Sequence, residues 1–381
     1  MRIETLAVHA GRRVDPATGA VVTPLHLSTT FERGLEGDFP RGYSYAREEN
    51  PTRQALEQCL AAIEGGKDAL AFSSGLAVVT ALVQGLEPGD HILAPEDVYY
   101  AMRTTMGQIF GKWPVETTHV DMTDLDAVGA ALRPSTRLVW VETPSNPLMR
   151  ITDLAGVAKI ARSANAISVC DSTFAPAVIQ RPLDCGIDMV MHSTTKYIGG
   201  HSDAMGGALV TRYDNYLFER CRKSQKFGGA VPSPFDCWLI LRGIETLPWR
   251  IRAHCANARS VAEFLRQHPR VEAVHYPGLK EHPGHEAARR QMSDFGGMLS
   301  FQVKGGREEA MEVTRRVRLI TRATSLGGTH SLMEHRASIE GKGTKTPQNL
   351  LRLSVGLEHV EDLVADLDQA LCCDNIHSLP L

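Results

Sequence analysis

Nowhere in the 381 residues does an apolar run approach the roughly 18 residues that a membrane span requires. Charge of one sign is not in surplus either. There are 41 Lys and Arg against 44 Asp and Glu, a net charge of −3, so the basic footprint of a nucleic-acid binder and the cationic patch of a membrane-surface protein are both missing. The eight cysteines form no C-x-x-C pair, which removes zinc-ribbon and thioredoxin-like chemistry. Most of them fall inside apolar or helical runs and read as buried, reduced thiols. Internal repeats and low-complexity segments are absent. The opening "MRIETLAVHAGRRVD" has acidic residues and no long apolar stretch, unlike a secretory signal, and predicts a cytoplasmic protein. "HPGHE" (282–286) carries an H-x-x-H spacing interrupted by proline and without a helical i, i+4 partner. It reads as a solvated turn, so no metal site is expected.

What is present is an alternation. "TRQALEQCLAAIE" (52–64) has helical spacing, "DALAFSSG" reads as a strand ending in a turn, and "LAVVTALVQGL" as a buried helix. Strands follow at "DHILAPE", "TRLVWVETPSNP", "AISVCDST" and "DMVMHSTT", with a helix at "DLAGVAKIARSAN". Alternating strands and helices predict a mostly parallel sheet covered on both faces, with ligands gathered at the carboxyl ends of its strands. Residues 1–50 have little periodicity and read as either disordered or wrapped over something else, such as a partner subunit. Residues 51–245 form the large α/β domain. From 246 to 381 a long helical stretch, "ETLPWRIRAHCANARSVAEFLRQHP", leads into strands at "GGMLSFQV" and "LLRLSVGLE" and a terminal amphipathic helix at "VEDLVADLDQALCC". That mixture predicts a smaller α+β domain.

The polar residues that end the apolar runs are Ser73, Ser74 and Gly75; Glu142 and Asn146; Asp171 and Thr173; and Ser193, Thr195 and Lys196. They should converge on one sheet edge. A lysine at the mouth of a buried strand has a depressed pKa and serves as a nucleophile that forms Schiff bases. "SSGLA" offers Ser74 and the free amides of Gly75 and Leu76 at a helix start, a site for a phosphate, and Ser193 and Thr195 add hydroxyls. Asp171 supplies a carboxylate that would keep a pyridine nitrogen protonated, and Tyr99 a ring to stack on it. Each feature alone has a plain structural reading: a solvated lysine, a capping aspartate, an ordinary helix start. Their order on successive strand ends points to pyridoxal phosphate (PLP). A nucleotide site at "GGKDALAFSSG" fails because the G-x-x-x-x-G-K-[ST] frame is missing.

The set "YSYAREENPT", "SSGLA", "EDVYY", "ETPSNP", "CDSTFAP", "HSTTKYIGGHSD", "SLGGTHSL" and "LRLSVGLEHVEDL" resembles the PLP-dependent Cys/Met-metabolism, or transsulfuration, family. The resemblance covers nearly the whole chain. It implies an α/β protein of PLP fold type I, aspartate-aminotransferase-like, and a homotetramer built from two active dimers. It implies that Lys196 is the Schiff-base lysine and proton shuttle, that Asp171 pairs with the pyridine nitrogen, and that Tyr99 stacks on the ring and, as a second catalytic residue, assists proton transfer. Gly75, Leu76, Ser193 and Thr195 would hold the phosphate, with Tyr45 and Arg47 reaching the phosphate of the neighbouring subunit. Asn146, Ser325 and Arg352 would take the substrate α-carboxylate, with Glu142 and Thr173 in support. The implied reaction is γ-elimination or γ-replacement on a γ-substituted amino acid of the cystathionine or O-acylhomoserine class. Cystathionine β-lyase chemistry is an alternative.

Three departures bear on the substrate. Thr324 stands where cystathionine-acting enzymes commonly carry glutamate. Tyr100, Ala101 and Met102 follow Tyr99 where methionine γ-lyases have Gly-Cys. His330 and Arg336 replace a frequent Glu and Pro, and the loop after Glu340 is shortened. Glu48, Glu49 and Glu340 read either as solvated charge or as receptors for a cationic distal group. On the second reading the chain would be a γ-lyase for a substrate such as canavanine, releasing hydroxyguanidine.

Overall fold

The computed structural model describes residues 1–341 and 344–372; Lys342, Gly343 and Cys373 lie outside them. Seven strands make the first sheet: β1 (Asp68–Phe72), β2 (His91–Pro95), β3 (Glu116–Val120), β4 (Thr136–Glu142), β5 (Ile167–Asp171), β6 (Met189–His192) and β7 (Gly207–Thr211). Their order is β1-β7-β6-β5-β4-β2-β3. Strands β3, β2, β4, β5 and β6 pair in parallel, and β7 runs antiparallel to both of its neighbours.

Alternation along each strand decides which core a side chain enters. Ala69 and Ala71 of β1 face the helices Pro51–Glu64 and Pro234–Ile244. Leu70 and Phe72 face the opposite side, against helices Gly75–Gln84 and Tyr216–Gly228. Cys170 of β5 and Val139 of β4 pack with helix Leu154–Ser163. Both faces are thus covered, which is why the central strands read as continuous apolar runs.

The second sheet comprises β8 (Val271–His275), β9 (Met298–Val303), β10 (Thr321–Arg322), β11 (Leu332–Glu334) and β12 (Leu350–Ser354), in the order β10-β11-β12-β9-β8. Helices Arg307–Arg316 and Val360–Leu371 pack on it. The long helix Leu247–Gln267 belongs to both halves. Its Leu247, Ile251 and Cys255 sit in the core of the large sheet, and its Ala258, Val261, Ala262 and Leu265 in the core of the small one.

Several elements escaped the sequence. Helix Ile3–His9 lies inside the stretch read as irregular and buries Ala7. Strand β3 has a half-exposed sequence without an apolar run, and β7 is only five residues in a glycine-rich surround. The reading of "HPGHE" as solvated is corrected. His282 and His285 are both buried, with His285 Nδ1 donating to the Pro277 carbonyl and His282 Nδ1 accepting the Gly284 amide. Burial pushes the His282 imidazole down to about 4. Cys59, Cys170, Cys221, Cys237 and Cys255 are buried thiols as expected, whereas Cys185 is half-buried. No helix among the described residues is long and apolar enough to cross a membrane.

Candidate active site

A cavity of about 230 Å³ opens where the carboxyl ends of β4, β5 and β6 meet the small sheet. Its wall includes Ser74, Gly75, Leu76, Tyr99, Glu142 and Asn146. Asp171, Thr173, Ser193, Thr195 and Lys196 continue it from the large sheet, and Thr324, Ser325 and Arg352 close it from the small one. Fourteen residues widely separated in sequence are brought together, as the strand-end argument expects. Ser73 is not on the wall; its amide is tied to the Ala230 carbonyl.

Ser74 caps helix Gly75–Gln84, its Oγ accepting the Ala77 amide at 3.1 Å. The following amides of Gly75 and Leu76 belong to the unpaired first turn. Gly75 is required by close approach. A Cβ there would meet Met191 Cε at 2.9 Å and Ser193 Cβ at 3.1 Å. The Ser193 amide donates to Thr173 Oγ1 at 2.9 Å, which fixes β6 against the turn after β5. Thr195 faces the cavity, but its hydroxyl donates to the Gly206 carbonyl at 3.1 Å and accepts the Gly206 amide at 3.0 Å. Its first role is to hold that loop.

Lys196 Nζ donates to Ser325 Oγ at 2.7 Å. Burial, with the Arg352 charge adding to it, brings the amine down to about 8. Ser325 sits at φ 88°, a region that residues other than glycine rarely adopt. The strained backbone presents the hydroxyl to the lysine while its carbonyl accepts Arg352 Nη2 at 3.1 Å. Arg352 Nη1 donates to Asn146 Oδ1 at 3.1 Å. Burial brings the Arg352 guanidinium down to about 10.

Two carboxylates face the other wall. Glu142 accepts the Tyr99 amide at 2.8 Å and the Asn146 amide at 3.2 Å. Asp171 accepts the Thr173 amide at 3.0 Å. Burial raises both pKa values, and the Asp171 charge raises Glu142 further. A carboxylate held in this way is relieved by a cationic N–H. A protonated pyridine nitrogen at Asp171 fits that demand, with Tyr99 beside it and the amides of Gly75 and Leu76 placed for a phosphate.

That donor set agrees with the comparisons. A model of the Cys/Met metabolism PLP-dependent enzyme family matches residues 4–372. The chain belongs to this family. It is 49% identical over 373 residues to cystathionine gamma-synthase of Mycobacterium tuberculosis, covering 96% of each protein. It is 44% identical to cystathionine gamma-lyase of Dictyostelium discoideum, covering 97% of each, and 42% identical to cystathionine beta-lyase of Coxiella burnetii, again covering 97% of each. The crystal structure of metB from Corynebacterium glutamicum superposes with a TM-score of 0.95 at 45% identity, covering 97% of this chain and 98% of that one. The fold is PLP fold type I, the cofactor is PLP, and the chain is an enzyme of Cys/Met metabolism.

Other predicted residues lie elsewhere. Tyr45 and Arg47 do not line the cavity of their own chain; Arg47 lies over the Tyr45 ring and donates to the Lys226 carbonyl at 2.7 Å. Glu49 pairs with Lys226 at 2.6 Å, Glu48 accepts the Ser44 hydroxyl, and Glu340 pairs with Arg336. None of the three glutamates is on the cavity wall. Conversely, Met102, Trp140, Pro144, Phe174, Met191 and Arg336 line it and were not read as site residues. The apolar ones carry no polar signal. Arg336 was visible as a departure from the family pattern but had no assigned role.

The lowered Lys196 amine has a measurable consequence. A protonated amine does not attack an aldehyde, so PLP-free protein should load slowly at low pH. The loading rate, followed by visible absorbance, should climb with pH and level off above about 8. A midpoint near the ordinary lysine value would contradict the burial of the amine.

Proposed function

We propose that the enzyme catalyses γ-replacement or γ-elimination on a γ-substituted L-amino acid of the O-acylhomoserine and cystathionine class. The observation that carries this reading is the seating of a lowered lysine amine, Lys196, 2.7 Å from Ser325, whose carbonyl holds Arg352. A base and a carboxylate clamp therefore meet at one residue, Ser325, so a substrate anchored by its α-carboxylate presents its α- and β-protons to the same amine. When bound, PLP supplies the electron sink that makes those protons removable. Asn146, Ser325 and Arg352 bind the carboxylate, with Arg352 as the bidentate partner. Once freed, Lys196 takes the proton from the α-carbon, gives it up before it can act as a base again, then takes one from the β-carbon and passes it to the leaving group on the γ-carbon. Asp171 holds the ring nitrogen protonated. Tyr99 and Phe174 shield the site from water.

The reading of the leaving group is supported by the wall around Thr324. Thr324 itself carries no charge, and the wall's carboxylates, Glu142 and Asp171, stand on the large-sheet side. The carboxylate beside Thr324, Glu334, accepts a hydrogen bond from it and is already engaged by Arg336 and Arg352, so among the described residues a distal ammonium or guanidinium finds no uncommitted carboxylate there. This favours an acyl ester at the γ-carbon over cystathionine and over canavanine. Glu340, considered from the sequence as a receptor for such a group, already serves Arg336 and the hydroxyls of Thr344 and Thr346.

The arm supports a homotetramer of active dimers. Val21, Val22, Leu27 and Leu35 are exposed within it, as is Tyr45, an apolar surface that a second copy would cover. Tyr45 and Arg47 would then reach the neighbour's phosphate site. The deciding experiment compares O-acetylhomoserine, O-succinylhomoserine, cystathionine and canavanine, with and without cysteine. Ammonia, 2-oxo acid and thioether products are measured. The acyl esters should turn over fastest; a clear preference for canavanine would overturn the assignment of the distal wall.

A further inference from the structure

Behind the carboxylate clamp runs a ladder of buried ions. Glu334 on β11 and Arg352 on β12 are register partners. A single oxygen, Glu334 Oε2, lies 2.8 Å from Arg352 Nη2 and 2.9 Å from Arg336 Nη1. Arg336 Nη2 reaches Glu340 Oε1 at 3.2 Å, across the five-residue helix Arg336–Glu340. Arg336 and Arg352 are each 3% exposed and Glu334 6%. Both guanidinium-bearing residues are on the cavity wall, and neither Glu334 nor Glu340 is. The cations face the substrate and the anions stand behind them.

This arrangement answers a difficulty. A buried carboxylate in direct contact with a guanidinium cancels most of its charge. Paired with Glu334 alone, Arg352 would have little attraction left for a substrate anion. We propose that Arg336 is a positioning residue: by sharing the Glu334 oxygen it draws part of that carboxylate's pull away from Arg352 and leaves the guanidinium oriented toward the substrate α-carboxylate. The proposal rests on the reading of Arg352 as the clamp. Glu340, together with Thr344 and Thr346, holds Arg336 from its far side. The same charge reaches Lys196, where Arg336 and Arg352 lower the amine and Glu334 opposes them; Glu142, Asp171 and the Tyr99 phenol are the other ionisable groups on the wall.

The test uses PLP-loaded enzyme and L-norvaline, which has the α-carboxylate but no γ-leaving group. Its dissociation constant is read from the visible absorbance change, and circular dichroism checks each fold. Arg336→Met should weaken norvaline about tenfold. Removing a neighbouring cation favours the protonated nitrogen, so the pH midpoint of the visible band should rise by about one unit. Arg336→Lys, which keeps the charge, should retain most of the affinity. Glu334→Gln combined with Arg336→Met removes the carboxylate that would otherwise cancel Arg352 and should restore binding to within about threefold of the parent. Parent-like affinity in Arg336→Met, or a double variant no better than the single one, would overturn the proposal. Arg352→Met is measured alongside. If it too binds norvaline normally, the clamp reading falls and the proposal with it; if only Arg336→Met is silent, the proposal alone falls.

Discussion

Lys196→Ala is expected to lower turnover by about 10⁴-fold, the upper range for loss of a positioned proton-transfer group. On the proposed reading the same amine is also the covalent anchor. The side chain makes one hydrogen bond, to Ser325, and opens onto the cavity, so its loss should leave the fold intact. The neighbours cannot replace it. Lys196 carries the one primary amine among the described residues of the wall, and its other cations, Arg336 and Arg352, are guanidiniums, which do not take over a Schiff base. The variant should bind PLP without the covalent link, and borohydride should not fix the cofactor to the chain. Turnover within a hundredfold of the parent, or borohydride fixation at another lysine, would contradict the assignment.

Asp171→Asn is expected to lower kcat by about 10²- to 10³-fold, the loss typical of removing one preorganised electrostatic contact. The substitution keeps size and shape. An amide oxygen still accepts the Thr173 amide, so the turn after β5 should persist. What disappears is the negative charge that, on the proposed reading, would hold the ring nitrogen protonated. A neutral pyridine withdraws electrons poorly, and the α-proton becomes harder to remove. Affinity for PLP should fall less than kcat, because the phosphate contacts of the Ser74 helix are untouched. The two quantities are separated by measuring kcat at saturating PLP and the dissociation constant by fluorescence. A kcat within threefold of the parent would remove Asp171 from the electron-sink role.

Much of this site was legible because its residues sit where the chain must change character. An apolar strand that stops at "HSTTK" or "CDST" has to present polar groups at a sheet edge. The sheet and its two helical layers follow from the same runs. Residues whose role depends on partners far away in sequence were not legible. Glu334 and Arg336 look like ordinary surface charges until β11 is placed beside β12 and the short helix turns the guanidinium inward. Likewise Thr195 reads as a phosphate hydroxyl, yet the Gly206 loop claims it first. Helix Ile3–His9 was missed because it is a short helix whose buried contact is Ala7. The acidic residues considered for a cationic substrate have partners that the sequence does not show: Lys226 and Arg336 meet Glu49 and Glu340 only in the folded chain.

The helix Leu247–Gln267 contributes one half of its length to each core. The two walls of the cavity are therefore not independent parts joined by a tether. Lys196 on one side and Ser325 and Arg352 on the other are referenced to the same rigid rod. Melting the small sheet would strip the partner surface from half of that rod and expose apolar residues in the rest. Stability and catalytic alignment are thus properties of one cooperative unit, and a lesion deep in the small domain registers at the lysine.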